Sequence, residues 1–307
     1  MKARFNLVRN RKWFFMLSGA ITVAGLIVFL VSGFNLGTDF VAGSRVQLQL
    51  NQPVNTAKVQ QLFQEAGIPL DEGAITTAGG PGKQAAVVRL TEVLTPAQVN
   101  QIKTLEAKMF PKSQSADIST VDPLVAKQTS QKAVWAVLIA SLFIVIYVAI
   151  RFEYRFAISG IVALLHDAFI VMSAFALLRL EVDLTFVAAI LTIVGYSIND
   201  TIVIFDRIRE NLKGKPPASM EELEEVVNRS LWQTMTRSIN TVATVLIAAL
   251  MLYFFGGTSI RTFTFALIVG LVSGAYSSIF IASPLWVTWR GRQFRKQKPS
   301  GEVPQAN

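Results

Sequence analysis

Six segments of this chain approach the roughly 20 consecutive apolar residues that an α-helix needs to cross the hydrocarbon core of a bilayer. They run from Trp13 to Phe34, Ala133 to Ile150, Phe156 to Leu178, Leu184 to Phe205, Thr236 to Phe255 and Thr262 to Trp289. No other feature restricts the fold so strongly. In lipid every backbone N–H and C=O must find its partner within the protein, and an apolar run of this length does so as a helix. The fold expected is therefore an integral membrane protein, mainly α, built as a six-helix transmembrane bundle. Composition agrees: 52% of the residues are hydrophobic and 16% charged, against about 25% charged in an ordinary soluble domain.

The placement of charge orients the bundle. The start carries Lys2, Arg4, Arg9, Arg11 and Lys12 with no acidic residue, and Arg290, Arg292, Arg295, Lys296 and Lys298 follow the last span. Arg151 and Arg155 sit between the second and third spans, and Arg207, Arg209, Lys213 and Lys215 follow the fourth. By the positive-inside rule both termini are cytoplasmic, in the multi-pass manner of a cytoplasmic (inner) membrane protein. The net charge of +9 is thus spread over helix ends facing membrane lipids, not gathered in a patch for nucleic acid. With no Cys and a single His, disulfides, thiolate metal sites and multi-His zinc motifs are excluded, and no metal is expected. The first apolar run exceeds a signal-peptide core and lacks a clean cleavage pattern, so it reads as an uncleaved anchor. Trp13, Trp286 and Trp289 are placed as interfacial aromatics.

Between the first two spans, Asn35 to Lys132 has soluble composition. "RVQLQL" alternates as a strand, "TAKVQQLFQEAG" reads as a helix stopped by Gly67, and "AITTA" as a strand before a turn at Gly80, Pro81 and Gly82. "AAVVRL" is then a strand, "TPAQVNQIKTLEAKMF" a helix capped by Thr95 with Pro96 at its first position, and "ADISTV" a last strand. Strand, helix, strand, strand, helix, strand is the order of an α+β ferredoxin-like split βαβ unit, placed outside the membrane between helices 1 and 2. The expected division is residues 1–34 for the N-terminus and first span, 35–132 for the extracytoplasmic domain, 133–289 for spans two to six and 290–307 for a basic cytoplasmic tail.

Polar residues within the spans carry the functional signal. An Asp at the centre of a membrane helix costs roughly 2.5–3.5 kcal/mol, so a retained one has a partner or a task. Asp200, beside Asn199 in "GYSINDTIVIFDRIREN", lies six residues, roughly 9 Å at 1.5 Å per residue, before Asp206 at the cytoplasmic edge. His166 and Asp167 fall in the middle of the third span. In the fifth, Arg237, Asn240, Thr241 and Thr244 share a helical face. Arg237 lies about as deep as Asp200, so the two are a candidate pair. An Asp facing an Arg stays ionised, and one that loses that Arg in a dry setting takes up a proton, which makes alternation a means of loading and releasing protons. Asp206 with Arg207 and Arg209 reads as an interfacial charge cluster. Ala266, Gly270, Gly274, Ser278 and Ala282 recur every four residues in the sixth span, the pattern of close helix packing.

With these residues in hand, the chain resembles the SecD/SecF family of protein-export membrane subunits, in the larger resistance-nodulation-division group of proton-driven transporters. The resemblance rests on "FNLGTDFVAGS", "RFEYRFAI", "ALLHD", "GYSINDTIVIFDRIREN" and "TRSINT", and runs over nearly the whole chain. The family more often has Ile at Thr38 and Gly at Ala42. The resemblance implies a translocase accessory subunit, not an enzyme, in which protons are the coupling ion and no other cofactor is required. Its partners would be a SecD-like subunit supplying a second six-helix half, the SecYEG channel, SecA acting upstream, and unfolded preproteins met by the external domain. Carried over by motif, Asp200 matches the proton-pathway Asp and Arg237 the fifth-span Arg; Asn199 and Asn240 accompany them, with His166 and Asp167 as second choices. Gly270, Gly274 and Ser278 remain packing positions.

Two other activities fit parts of the pattern. A proton-driven lipid or small-molecule exporter of the resistance-nodulation-division type shares the architecture, but usually carries two large external domains in twelve spans. An intramembrane aspartyl protease could use Asp167 and Asp200 as paired carboxylates, yet the residues preceding each Asp differ from that class. A passive scaffold would keep intramembrane charges for structure alone.

Overall fold

Helix length and capping set the architecture. The computed structural model describes residues 5–70, 73–78, 84–214 and 217–296; the Gly80, Pro81, Gly82 turn and Lys2, Arg4, Lys215 and Lys298 lie outside the described residues. In chain order the elements are α1 (Arg11–Ser32), β1 (Asn35–Leu36), β2 (Gly43–Gln49), α2 (Thr56–Glu65), β3 (Ile75–Ala78), β4 (Ala85–Leu90), α3 (Pro96–Met109) and β5 (Gln114–Val121). There follow α4 (Pro123–Arg151), α5 (Tyr154–Leu178), β6 (Glu181–Val182), α6 (Leu184–Gly214), α7 (Met220–Phe255) and α8 (Thr258–Ser277), which continues through a π-helical turn, Ser278–Ala282, into α9 (Ser283–Lys296).

Among the described residues six helices are long and apolar enough to cross a membrane. Two begin well before their apolar runs. α4 starts at Pro123, where the Asp122 side chain accepts from the Leu124 N–H at 2.8 Å and Pro occupies a position whose N–H has no helical partner. α7 starts at Met220 behind the Ser219 cap, and its first turns bury Leu223, Val227 and Leu231 at four-residue spacing. Against that stripe lie Leu7 and Val8, fixed by Leu7 N–H donating to Asn228 and by the Arg11–Glu224 ion pair at 2.5 Å. Neither extension is apolar enough to prolong the run that follows it: the α4 start is mostly exposed, and the α7 start alternates its buried stripe with Glu.

α8 sits at the centre of the bundle, packed on α5, α6 and α7. Its contact with α6 is a ladder in steps of four. Gly270 meets Ile193, Gly274 meets Ser197, and the Ser278 hydroxyl meets that of Thr201 at 2.8 Å. The π-turn has a local cause: Pro284 has no N–H for the carbonyl four residues back and its ring crowds that carbonyl, so the helix widens ahead of it. Trp286, placed at the lipid interface by the sequence reading, is instead fully buried, its indole stacked on Phe156 at 4.3 Å beside Phe205 and Phe152. Trp13 is exposed and Trp289 half-buried. At this end Asp206 pairs with Arg151 at 3.1 Å and Arg209 at 3.6 Å.

Between α1 and α4, four strands form an antiparallel sheet in the order β3-β4-β2-β5. α2 and α3 supply Val59, Leu62, Phe63 and Ile102 to a core completed by Val46, Leu48, Ala86 and Val88 from the strands. α3 has the Thr95–Gln98 capping box with Pro96 at its start, and Gly67 takes φ +73° just past α2. A separate parallel pairing of β1 with β6 ties the segment after α1 to the α5–α6 loop.

Candidate functional site

The two intramembrane aspartates have opposite surroundings. Asp167, on α5, is fully buried and its carboxylate is saturated with donors. Ser197 of α6 and Ser277 of α8 donate to Oδ2 at 2.6 and 2.7 Å. Ser273 of α8 donates to Oδ1 at 2.7 Å, and His166 Nδ1 approaches the same oxygen at 3.3 Å. A carboxylate has about four acceptor positions, and here all are used. The other side of the imidazole, Nε2, meets the Ser18 hydroxyl of α1 at 2.6 Å. A single charge therefore ties four helices together. Three bonds of 2.6–2.7 Å and the longer His166 contact offset much of the cost of burying it.

Asp200, one turn beyond Ser197 on α6 and turned toward α7, is held at one point. Ser238 of α7 donates to Oδ1 at 2.5 Å, while Oδ2 is buried with no hydrogen-bond partner. Arg237 precedes that serine and is near enough to act on the carboxylate electrostatically, yet no ion pair joins them and the guanidinium is exposed. A cleft of about 20 Å³ between α6, α7 and α8 is lined by Asp200, Asn199, Ser197, Thr241 and Gly274, room for about one water. Asn199, Arg237, Asn240 and Thr241 form an exposed polar strip on the α6–α7 face. Asp167 and Asp200 share no hydrogen bond, so a proton-sharing dyad is not assembled. Among the described residues no group of three or more acidic, His or Cys side chains is arranged to hold a metal.

The serines were the residues that sequence reasoning missed. Ser273 and Ser277 are four apart, as are Ser197 and Thr201, so each pair shares a helix face, but serine is common enough in packed membrane helices to read as a small residue. Ser278, taken as packing, does pack; its neighbour Ser277 reaches the carboxylate. Ser238 stood inside "TRSINT" without being singled out.

Comparison with known proteins places this geometry. Residues 101–292 match the family described as protein export membrane protein SecD/SecF, C-terminal, and residues 27–54 match the SecD/SecF GG motif. The chain is 64% identical over 297 residues to a protein translocase subunit SecF from Alicyclobacillus acidocaldarius, covering 96% of each. It is 44% identical to the protein translocase subunit SecDF of Bacillus subtilis, over 95% of this chain but 39% of that one. Among solved structures, SecDF of Thermus thermophilus, a translocon-associated membrane protein, aligns with a TM-score of 0.84 at 35% identity, over 95% of this chain and 39% of that one.

Proposed function

The chain belongs to the SecD/SecF family of protein-export membrane proteins and is a multi-pass protein translocase subunit, and from that premise we propose that it couples proton passage to the outward movement of unfolded preproteins, with Asp200 as the loading group and Arg237 as its charge partner. What carries this reading is the open oxygen of Asp200. A buried carboxylate atom with no donor is costly in its charged form and free to take a proton. The single Ser238 bond and the nearby Arg237 both come from α7, so a shift of α7 changes what the carboxylate sees. Each proton crossing a 100 mV potential supplies about 2.3 kcal/mol, enough to bias two conformations by nearly fifty-fold.

The exposed strip of Asn199, Arg237, Asn240 and Thr241 supports a membrane partner. Polar groups at that depth do not face lipid; they face protein or water. A SecD-like subunit would cover them, in keeping with a chain that spans 39% of its SecDF relatives. The SecYEG channel, with SecA acting earlier, would deliver the preprotein. The four-stranded domain, ferredoxin-like in its strand order, would stand outside the cytoplasmic membrane and contact the emerging chain. The Arg11–Glu224 and Arg151–Asp206 clusters, with Arg207, Arg209 and Lys213 at the end of α6, belong to the cytoplasmic side.

The test is preprotein export into vesicles holding the channel, its ATPase, a SecD-like chain and either the wild type or Asp200→Asn, with and without a proton gradient. Wild type gains export from the gradient, and the variant, equally abundant and partner-bound, does not. An equal gain in both overturns the assignment of Asp200.

A further inference from the structure

Arg45 on β2 and Arg89 on β4 are directly paired across the sheet, so two cations stand opposite each other on one face. Like charges in that position are destabilising, and both side chains are largely withdrawn from water, at 28% and 24% exposure. The carboxylate that reconciles them comes from the α5–α6 loop of the helical bundle. Glu181, itself 10% exposed, lies 2.9 Å from Arg89 and 3.9 Å from Arg45.

Further contacts surround this carboxylate. Arg89 also donates to Asn35 at 2.6 Å, and Asn35 donates to the Arg179 carbonyl at 2.8 Å. Glu181 and Asn35 are register partners in the β1–β6 pairing, which the Gly37 N–H extends by donating to the Val182 carbonyl at 2.8 Å. Gly37 packs closely there: a Cβ would stand 2.7 Å from Glu181 Oε1 and push that side chain aside. Asp39 then accepts from the Leu184 N–H at the start of α6.

We propose that the Arg45–Arg89 pair is a built carboxylate receptor whose ligand is Glu181, and that this joint fixes the external domain to the start of α6, making Glu181 the positioning residue that transmits displacement of the Asp200 helix to that domain. From Leu184 to Asp200 is one uninterrupted helix, roughly 24 Å at 1.5 Å per residue. A movement at the carboxylate therefore arrives at the joint with little loss, and an open joint leaves the domain held by its chain connections to α1 and α4. The transmission part rests on the proton-coupling reading; the docking part does not.

The experiment uses the full chain in lipid nanodiscs with Glu181→Gln, which keeps shape and removes charge, and with the exchanged pair Arg89→Glu and Glu181→Arg. Hydrogen exchange is followed at Gly37 and across 179–184. Glu181→Gln raises exchange there by at least tenfold while Val46 and Val88 in the sheet core stay protected, and the exchanged pair restores protection. Unchanged exchange at Gly37 overturns the docking role, and loss of protection throughout the sheet shows a folding defect in place of a joint, which also overturns it. In the export vesicles, Glu181→Gln keeps gradient-independent export and loses the gradient-driven increment, which the exchanged pair recovers. An open joint with a full increment overturns transmission. Asp200→Asn, run alongside, removes the increment with Gly37 still protected; if it keeps the increment, the Asp200 reading fails while the Glu181 result still decides the joint.

Discussion

Removing either intramembrane carboxylate gives opposite results in stability and in coupling. Asp167→Ala deletes the acceptor for three serine hydroxyls and His166. Interhelical hydrogen bonds in a bilayer average about 0.6 kcal/mol, so the three from Ser197, Ser273 and Ser277 sum to roughly 1.8 kcal/mol, and an ionised acceptor about doubles each. The expected loss is roughly 2–4 kcal/mol, lessened where water enters the space left behind. Asp200→Ala deletes one bond, from Ser238, for about 0.6–1.2 kcal/mol by the same reckoning. Asp167→Asn is intermediate, since the amide keeps one acceptor and serine hydroxyls can turn to accept from its N–H groups. The assay is unfolding in nanodiscs by steric trapping, with abundance and partner capture measured in parallel. The order of damage is Asp167→Ala, then Asp167→Asn, then Asp200→Ala. If Asp200→Ala is as destabilising as Asp167→Ala, counting donors is the wrong way to tell an anchored carboxylate from a loading one.

Two further outcomes follow from local geometry. Gly270→Ala places a Cβ 2.3 Å from Ile193 Cδ1 and 2.4 Å from its Cγ1, an overpacking that costs about 1–3 kcal/mol; adding Ile193→Ala makes the double variant less damaged than the two single losses summed, whereas Gly195→Ala, with nothing within 4 Å, is neutral by thermal unfolding. In the four-stranded domain, burial raises the Glu106 carboxyl above the ordinary 4.5, although its Oε2 accepts from the Ala116 N–H at 2.7 Å. The folded state thus binds this proton more tightly than the unfolded one, and its contribution falls as pH rises from 4.5 through the raised value. Glu106→Gln keeps the acceptor, removes that slope and raises the domain's melting temperature at neutral pH, by about 1 kcal/mol in stability; an unaltered slope in melts at acidic and neutral pH would show that another group titrates.

The spans were legible because a bilayer imposes length and apolarity on every residue of a helix, and Asp200 and Arg237 were legible because charges are rare inside such runs. The order of elements between α1 and α4 was legible from alternation, the Thr95 cap and Pro96. What was not legible had amphipathic or generic signals. The first turns of α7 alternate Glu with buried Leu223 and Val227, so a hydropathy window passes over them. Trp286 has the residue type and position of an interfacial anchor, and only the folded partners Phe156 and Phe205 make it core. Ser197 of α6 and Ser273 and Ser277 of α8 become ligands of Asp167 on α5, a relation between helices that spacing along one helix does not encode.

The division between the carboxylates gives the bundle a stiff side and a soft side. Asp167 bonds α5 to α6 and α8, and His166 extends the tie to α1 through Ser18. The Gly270 and Gly274 ladder closes the α6–α8 contact further. Toward α7, the polar tie from Asp200 is one serine bond with an oxygen left open, and the side-chain bonds of Asn211 to Ser230 and Gln233 lie about three turns further along. On the proposed coupling, a proton taken up at Asp200 would change α7's hold on α6 without loosening the stiff side. Because Glu181 lies between α5 and α6, on the stiff side, the proposed joint would carry the four-stranded domain with that block relative to α7. Had the joint been made to α7, the same protonation would have had to act through the deformable contact it alters.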